Sequence, residues 1–195
     1  MDVMNLDVID LLVADHNRVR GLFARYHQAH DADRTDESSA LASKITTELE
    51  VHTTIEEEVF YPAVRKMSEE LAEAVDEGIE EHHVCKILLS EIKALKPESD
   101  EWAAKMTVMI ENTEHHVKEE EDEMFPKVRS NSDARIRNEL GEALEKMKAS
   151  LGAPTIADKD SLSKVELDEM AREQQIPGRS SMKRDELEAT VGLDS

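Results

Sequence analysis

The sequence has few of the features that mark secreted, membrane-spanning or nucleic-acid-binding proteins. Its 195 residues include one cysteine, so an internal disulfide is excluded. No run approaches the roughly 18 apolar residues of a membrane span, and no stretch has the pattern of a cleaved leader. Only 24 basic residues oppose 45 acidic ones, and the net charge of -21 repels phosphate backbones and anionic lipids. We therefore expect a soluble protein of a reducing compartment, most simply the cytoplasm, with no membrane partner.

Glycine, proline and aromatic residues are also scarce, and their scarcity favours long helices. The chain has six glycines, five prolines and 3% aromatic residues. Alanine, leucine, valine, isoleucine and methionine dominate its apolar residues, which favours helices over strands. A chain of 195 residues suits one bundle-sized domain with a small appendage.

Apolar residues recur at alternating steps of three and four in four segments, which predicts four helices that each bury one face. These helices are expected at about residues 6–30, 38–66, 69–95 and 101–128. Ser68 is expected to cap the third helix. A fifth helix at about 133–151 has an apolar side that should pack on the other four. We predict an all-α fold whose first domain spans residues 1–151.

The two halves of this domain resemble each other. The stretch HTTIEEEVFYP at 52–62 aligns with HVKEEEDEMFP at 116–126, and each stretch begins with His-x-x-x-Glu and ends with an aromatic residue and proline. In the same way, DHNRVRGLF at 15–23 aligns with EHHVCKILL at 81–89. The domain is therefore predicted to consist of two related helical hairpins.

The helical phase places six polar side chains in the rows that face inward. Each of the four helices contributes one inward histidine, and two helices add an inward glutamate one turn later: His16, His52, Glu56, His82, His116 and Glu120. The same phase turns the neighbouring His83 and His115 outward. Two buried carboxylates without partners are costly or take up protons, and no inward lysine or arginine occupies their level. A bound cation is the most economical explanation.

These donors limit the choice of metal. Imidazole and carboxylate together suit iron, manganese or zinc, and facing helices of a bundle are an established place for a two-metal carboxylate site. Six protein ligands are too many for one tetrahedral zinc. They suit two metals that share bridging carboxylates and keep open positions.

This pattern resembles the hemerythrin-like HHE cation-binding domain, and the resemblance covers about residues 7–130. It rests on the order of the six residues and on the aromatic-proline pair after each His-x-x-x-Glu. The resemblance implies an antiparallel four-helix bundle with an oxo-bridged non-haem di-iron centre. The four histidines would be terminal ligands, and Glu56 and Glu120 would be bridges. Oxygen-carrying hemerythrins have a second histidine four residues after the one equivalent to His82, and here Lys86 takes its place. This departure argues against simple reversible oxygen carriage.

Several residues near the six have alternative interpretations. The extra acids are expected on a solvated face, although Glu57 or Glu121 would replace a bridge if its helix were rotated. Cys85 is expected in the core, and the alternative places it near the metals. Tyr26 and Tyr61 are expected to pack in the core, and the alternative brings one hydroxyl to the ligands.

A linker at residues 152–160 is expected to lead to a separate helical module at residues 161–195. Ser163 and Glu166 form a capping box, and an IPGRSS turn precedes a second short helix from about Met182. This segment resembles the helix-extended-helix module at the N-terminus of transcription termination factor Rho and in SAP-like segments, which often contact nucleic acid. Residues 155–195 carry six basic and ten acidic side chains, so protein docking is preferred over nucleic-acid binding, which would be weak at best.

Two classes of function remain open for the main domain. The first is a redox enzyme, catalase-like or otherwise, whose di-iron centre reacts with peroxide, oxygen or nitric oxide in oxidative or nitrosative stress or in iron handling. The second is a non-enzymatic oxygen- or iron-binding sensor or storage module that signals through the C-terminal segment. The sequence shows no substrate pocket that separates them.

Overall fold

In the computed structural model of the chain, the described residues are 7–97, 99–155, 167–168, 171–172, 176–183, 186–187 and 190, and this part contains helices and no strand. The prediction of an all-α fold is confirmed for it. No helix in these ranges is long and apolar enough to cross a membrane. The elements are α1 Val8–His30, α2 Thr35–Ile55, α3 Tyr61–Val64, α4 Glu69–Ala94, α5 Asp100–Glu119, α6 Phe125–Asn131 and α7 Ala134–Ser150, two π-helical turns at Glu56–Phe60 and Glu120–Met124, and a 3₁₀ turn at Arg179–Ser181.

Side-chain caps explain where most of the long helices begin. The side chains of Asp7, Ser68, Ser99 and Asp133 each accept a hydrogen bond from a backbone N–H in the first turn of α1, α4, α5 and α7. The predicted cap at Ser68 is therefore confirmed. Helix α2 begins at Thr35, three residues earlier than predicted, and has no side-chain cap. Asp36 and Glu37 lie in its first turn, where negative charge interacts favourably with the helix dipole.

The second and fourth predicted helices are interrupted rather than continuous. A π-helical turn begins at Glu56 in one and at Glu120 in the other. The backbone N–H of Tyr61 bonds to the carbonyl of Glu56, and that of Phe125 bonds to the carbonyl of Glu120. A proline follows each of these aromatic residues and has no N–H to continue the regular pattern. Such turns are frequent at functional sites.

The extra residue in each π-helical turn rotates the side chains that follow. An uninterrupted helix would turn Val59 and Ala63 inward. In the structure, Phe60 and Val64 are buried instead, and so is Tyr61. The inward row that a regular helical period predicts for the second helix is therefore wrong after Glu56.

The helices enclose two apolar cores that lie on either side of the predicted ligands. Helix α1 packs along α2, and α4 packs along α5. One core includes Phe23, Leu49 and Met106, and the other includes Leu12 and Phe60. Helix α7 contacts α1, α2 and the first π-helical turn, as expected for the fifth helix. The six polar residues thus lie in a layer between two water-excluding regions.

The described part of the C-terminal segment has a small core of its own, which consists of Leu167, Ala171 and Leu187. The predicted IPGRSS turn is present, with Gly178 at a φ of 76°, a left-handed conformation that glycine adopts readily. The predicted capping box and residues 156–160 of the predicted linker lie outside the described residues. The domain boundaries and the likeness to the Rho module stay predictions.

A buried ion pair attaches α7 to α1 beside the predicted ligands. Lys148 Nζ donates to both carboxylate oxygens of Asp15, at 2.7 and 2.6 Å, and both residues are buried. Burial alone would raise the pKa of Asp15, but the charges of Arg18 and Lys148 outweigh it and hold this pKa well below its usual range. Asp15 is therefore ionised and depends on these two cations.

Replacing Lys148 with methionine should destabilise the fold, because Asp15 would lose one of its two cations inside the protein. We expect the free energy of unfolding in urea to fall by about 3 kcal/mol. The control is Lys146→Met, whose side chain is 80% exposed and should change stability by less than about 0.5 kcal/mol. Equal effects of the two substitutions would show that Arg18 alone neutralises Asp15.

Candidate metal centre

The structure brings the six predicted ligands together in one buried layer, and none of them is more than 5% exposed. They form two groups, each with one donor atom per residue and all of those atoms within 4.8 Å of one another. The first group is His16, His52, Glu56 and Glu120, and the second is Glu56, His82 and His116. Glu56 belongs to both groups, so the two groups lie next to each other and have this carboxylate in common.

Each of the two glutamates lies between two imidazoles. Oε2 of Glu56 is 3.2 Å from Nε2 of His52 and 3.2 Å from Nε2 of His82. Oε2 of Glu120 is 3.3 Å from Nε2 of His16 and 3.7 Å from Nε2 of His116. Each carboxylate thus meets one histidine from its own segment and one from the other half of the repeat.

Three of the four histidines use their other ring nitrogen to bind an outer carboxylate. The pairs are His16 Nδ1 with Glu121 at 2.9 Å, His82 Nδ1 with Glu57 at 3.0 Å and His116 Nδ1 with Glu81 at 2.7 Å. Because an ionised carboxylate accepts hydrogen bonds, these contacts favour a proton on Nδ1 and turn Nε2 toward the inner glutamates. This is the usual arrangement around metal-bound histidines.

For Glu57 and Glu121, the structure therefore corrects the expectation from the sequence. They were expected on a solvated face, with the alternative of replacing a bridge, but each orients a histidine of the other hairpin. The hydrogen bond from His82 is the main cause that lowers the pKa of Glu57 to about 2, and Lys86 adds to it. Lys86 Nζ donates to Glu57 at 2.6 Å, so it binds this outer carboxylate and belongs to neither ligand group. The Glu-Glu doublet that follows each His-x-x-x in the repeat is the sequence feature from which the roles of Glu57 and Glu121 could have been predicted.

Tyr61 takes the alternative role that the sequence left open. Its hydroxyl donates to Glu120 Oε1 at 2.9 Å and lies 3.4 Å from Nε2 of both His82 and His116. Burial and the charges of Glu120 and Glu56 raise its pKa well above the usual value, so the hydroxyl keeps its proton. Gly78 leaves room for this group, because a Cβ there would lie 2.9 Å from the hydroxyl oxygen.

Tyr26 and Cys85, for which the sequence also allowed a position near the metals, are core residues. Tyr26 is buried in the first apolar core, where its ring lies edge-on to Trp102 with ring centroids 5.9 Å apart. Cys85 is also buried in this core and belongs to neither ligand group. Burial raises the pKa of its thiol to about 11, so the thiol is protonated at neutral pH.

The electrostatics show how strongly the layer requires positive charge. Burial opposes a charge on His16, yet its contacts with the carboxylates of Glu120 and Glu121 raise its pKa to about 9. Burial, followed by the charge of Glu120, raises the pKa of Glu56 well above its usual range. Burial and the charge of His16 lower the pKa of His52 well below its usual range. The raised pKa values of His16 and Glu56 both favour protonation, which reduces the net negative charge of the layer as a bound cation would.

Several donor atoms in the layer have no hydrogen-bond partner among the described residues. They are both carboxylate oxygens of Glu56, both ring nitrogens of His52, Nε2 of His16 and Oε2 of Glu120. In the described ranges, only histidines form ion pairs with Glu56 and Glu120. Buried polar atoms are nearly always satisfied by a partner. A set of imidazole nitrogens and carboxylate oxygens of this kind fits a first-row transition metal.

The two halves of the repeat differ at two positions next to the ligands. Glu81 precedes His82 and binds His116, whereas the equivalent Asp15 binds Lys148. Tyr61 donates to Glu120, whereas the equivalent Phe125 stacks on His16 with ring centroids 5.7 Å apart. The two proposed cation positions therefore have different surroundings.

Replacing His116 with alanine should remove a predicted ligand, leave Glu81 without its hydrogen bond to this imidazole and leave Glu120 with His16 alone. We expect loss of metal from the purified protein and a fall of roughly 3 kcal/mol in the free energy of unfolding. The matched control is His115→Ala, one residue away and 65% exposed, which should keep the metal at the centre. Loss of metal in the control and its retention in His116→Ala would show that the ligand assignment on α5 is wrong.

Comparisons with known proteins identify the family of this chain. Residues 7–128 match the family described as Hemerythrin HHE cation binding domain. The chain is 31% identical over 130 residues to a protein of Nostoc sp. (strain PCC 7120 / SAG 25.82 / UTEX 2576) named DNA nickase, and the alignment covers 67% of this chain and 36% of that relative. The chain thus spans about a third of the length of this relative. No solved structure matches it. The chain belongs to the hemerythrin HHE cation-binding domain family.

Proposed function

We propose that the protein is a non-haem di-iron protein whose four long helices form the antiparallel bundle that the family resemblance implies. His16, His52, His82 and His116 would be terminal ligands, and Glu56 and Glu120 would bridge the two irons. The observation that carries this proposal is Glu56, a buried carboxylate that belongs to both ligand groups and has no hydrogen-bond partner on either oxygen among the described residues. Six donors for two metals leave open positions for a small ligand.

The proposed reaction is with hydrogen peroxide, with oxygen or nitric oxide as further ligands. A bound iron pair would supply the exchange of two electrons. In the peroxide reaction, one molecule is oxidised to oxygen and a second is reduced, so that two peroxides yield one oxygen and two waters. This activity would serve oxidative or nitrosative stress or iron handling, and we expect it in the cytoplasm.

The side chains around the centre support reaction over reversible binding. The Tyr61 hydroxyl is a neutral proton donor that faces Glu120 and two of the proposed ligands. It is placed to give a proton to a small molecule bound beside Glu120 and to regain it afterwards. Lys86 replaces the additional histidine of oxygen carriers and is bound to Glu57. The ligand group of Glu56, His82 and His116 therefore has a protonated hydroxyl nearby. It also has one nitrogen donor fewer than the equivalent group of an oxygen carrier.

The alternative is a non-enzymatic sensor or storage module that signals through residues 161–195. It is favoured by the small core of Leu167, Ala171 and Leu187, which gives this segment apolar packing distinct from the two cores of the bundle. A DNA-cutting activity, as in the name of the Nostoc relative, is not proposed. That relative is matched over 36% of its length, and the net charge of -21 repels a phosphate backbone.

The iron-loaded protein should release oxygen from added peroxide faster than the same concentration of free iron. Tyr61→Phe should slow this release by about 10²-fold, because proton donation would be lost, while its iron content stays unchanged. The control is Tyr26→Phe, a buried tyrosine of the apolar core, which should react as the wild type does. The contradicting outcome is a reduced protein that forms a stable oxygenated spectrum, which bleaches fully under vacuum, and that consumes no more peroxide than free iron does. That outcome would refute the enzyme and favour the alternative.

A further inference from the structure

A cleft rich in carboxylates connects the protein surface with the second ligand group. Its volume is about 70 Å³, and its lining includes Glu77, Glu81, Glu119, Glu120, Glu123 and His116, together with Lys127, which forms an ion pair with Glu70. Glu77 and Glu123 are exposed, whereas His116 and Glu120 are buried. Oε2 of Glu120 has no hydrogen-bond partner among the described residues. The cleft therefore leads from exposed carboxylates to two of the proposed ligands.

A third group of metal donors lies beside this cleft. Glu81, His115 and Glu119 each offer one donor atom, and these atoms lie within 4.8 Å of one another. His115 Nε2 is 3.3 Å from Oε1 of Glu119 and 4.0 Å from Oε1 of Glu81. The other oxygen of Glu81 is 2.7 Å from Nδ1 of His116. Glu81 thus connects the surface group directly with a proposed ligand of the buried centre.

We propose that Glu81, His115 and Glu119 form an outer site for a divalent cation, which delivers metal through the cleft to the centre. The second part of this proposal, delivery to the buried centre, rests on the proposed function. One imidazole and two carboxylates are the same donor types as those of the centre and suit Fe²⁺ or Mn²⁺. Because His115 is 65% exposed, an ion bound there keeps much of its water and exchanges readily. Carboxylates along a cleft also raise the local concentration of cations.

The outer site exists on one side of the repeat only. The positions equivalent to Glu81, His115 and Glu119 are Asp15, Val51 and Ile55. Two of these are apolar, and Asp15 is bound to Lys148. The three donors are therefore not a by-product of the repeat that builds the buried centre. Among the described residues, the outer donors therefore lie on the side of His82 and His116.

The test follows the loading of metal-free full-length protein with Fe²⁺ in the absence of oxygen. His115→Ala should take up iron at least about tenfold more slowly than the wild type, because the cation is no longer collected at the cleft. Both should reach the same final content of two irons per chain. The matched control is His83→Ala, another exposed histidine that follows a buried one, which should load at the wild-type rate. Equal loading rates for His115→Ala and the wild type would overturn the proposal.

A second measurement separates the outer site from the buried centre. Substoichiometric Mn²⁺ should broaden the NMR signals of the His115 ring in the metal-free protein more strongly than those of the His83 ring. If His115 is broadened but no iron is taken up at any rate, the buried centre is wrong, and so is delivery to it, while the outer site stands. If Mn²⁺ does not broaden His115 preferentially, this histidine forms only a surface ion pair and the outer site is refuted.

Discussion

The structure depends on the charge balance of two carboxylates in the middle of a helical protein. Glu56 and Glu120 are at most 2% exposed and lie between two apolar cores. Ionised carboxylates in such a place are tolerated only with positive charge and hydrogen bonds around them. The four buried histidines, the outer carboxylates that orient three of them, and the raised pKa values of His16 and Glu56 are all consequences of this requirement. A pair of cations meets it with the donors that are already present.

Each half of the repeat contributes two of the histidines and one of the inner glutamates. The positions at which the two halves differ give the two ligand groups different surroundings. Glu57 and Glu121 follow the inner glutamates, and each binds a histidine of the other hairpin. Two pairs of equivalent positions break this symmetry. Tyr61 donates a hydrogen bond where Phe125 only stacks, and Glu81 binds a histidine where Asp15 binds a lysine of α7. The protonated hydroxyl of Tyr61, the acidic cleft and the outer donors all lie beside His82 and His116.

The sequence predicted the helices and the six buried residues because both follow from periodicity and repetition. A regular period fails where a helix gains a residue, so the π-helical turns at Glu56 and Glu120 could not be predicted from it. The burial of Tyr61 was expected, but the contact of its hydroxyl with Glu120 was only the alternative, because a regular period does not place this side chain at the level of the ligands. The roles of Glu57 and Glu121 were missed because a partly exposed acid next to an inward one has the pattern of a solvated face. Metal binding by the six residues stays a prediction.

The most direct test of the account is the addition of Fe²⁺ to the metal-free protein, with metal analysis and the melting temperature as readouts. If cations replace the protons on His16 and Glu56, the melting temperature should rise and level off at two irons per chain, because metal binds the folded site and not the unfolded chain. An unchanged melting temperature, or a rise that is complete at one metal per chain, would contradict a buried layer built for two cations.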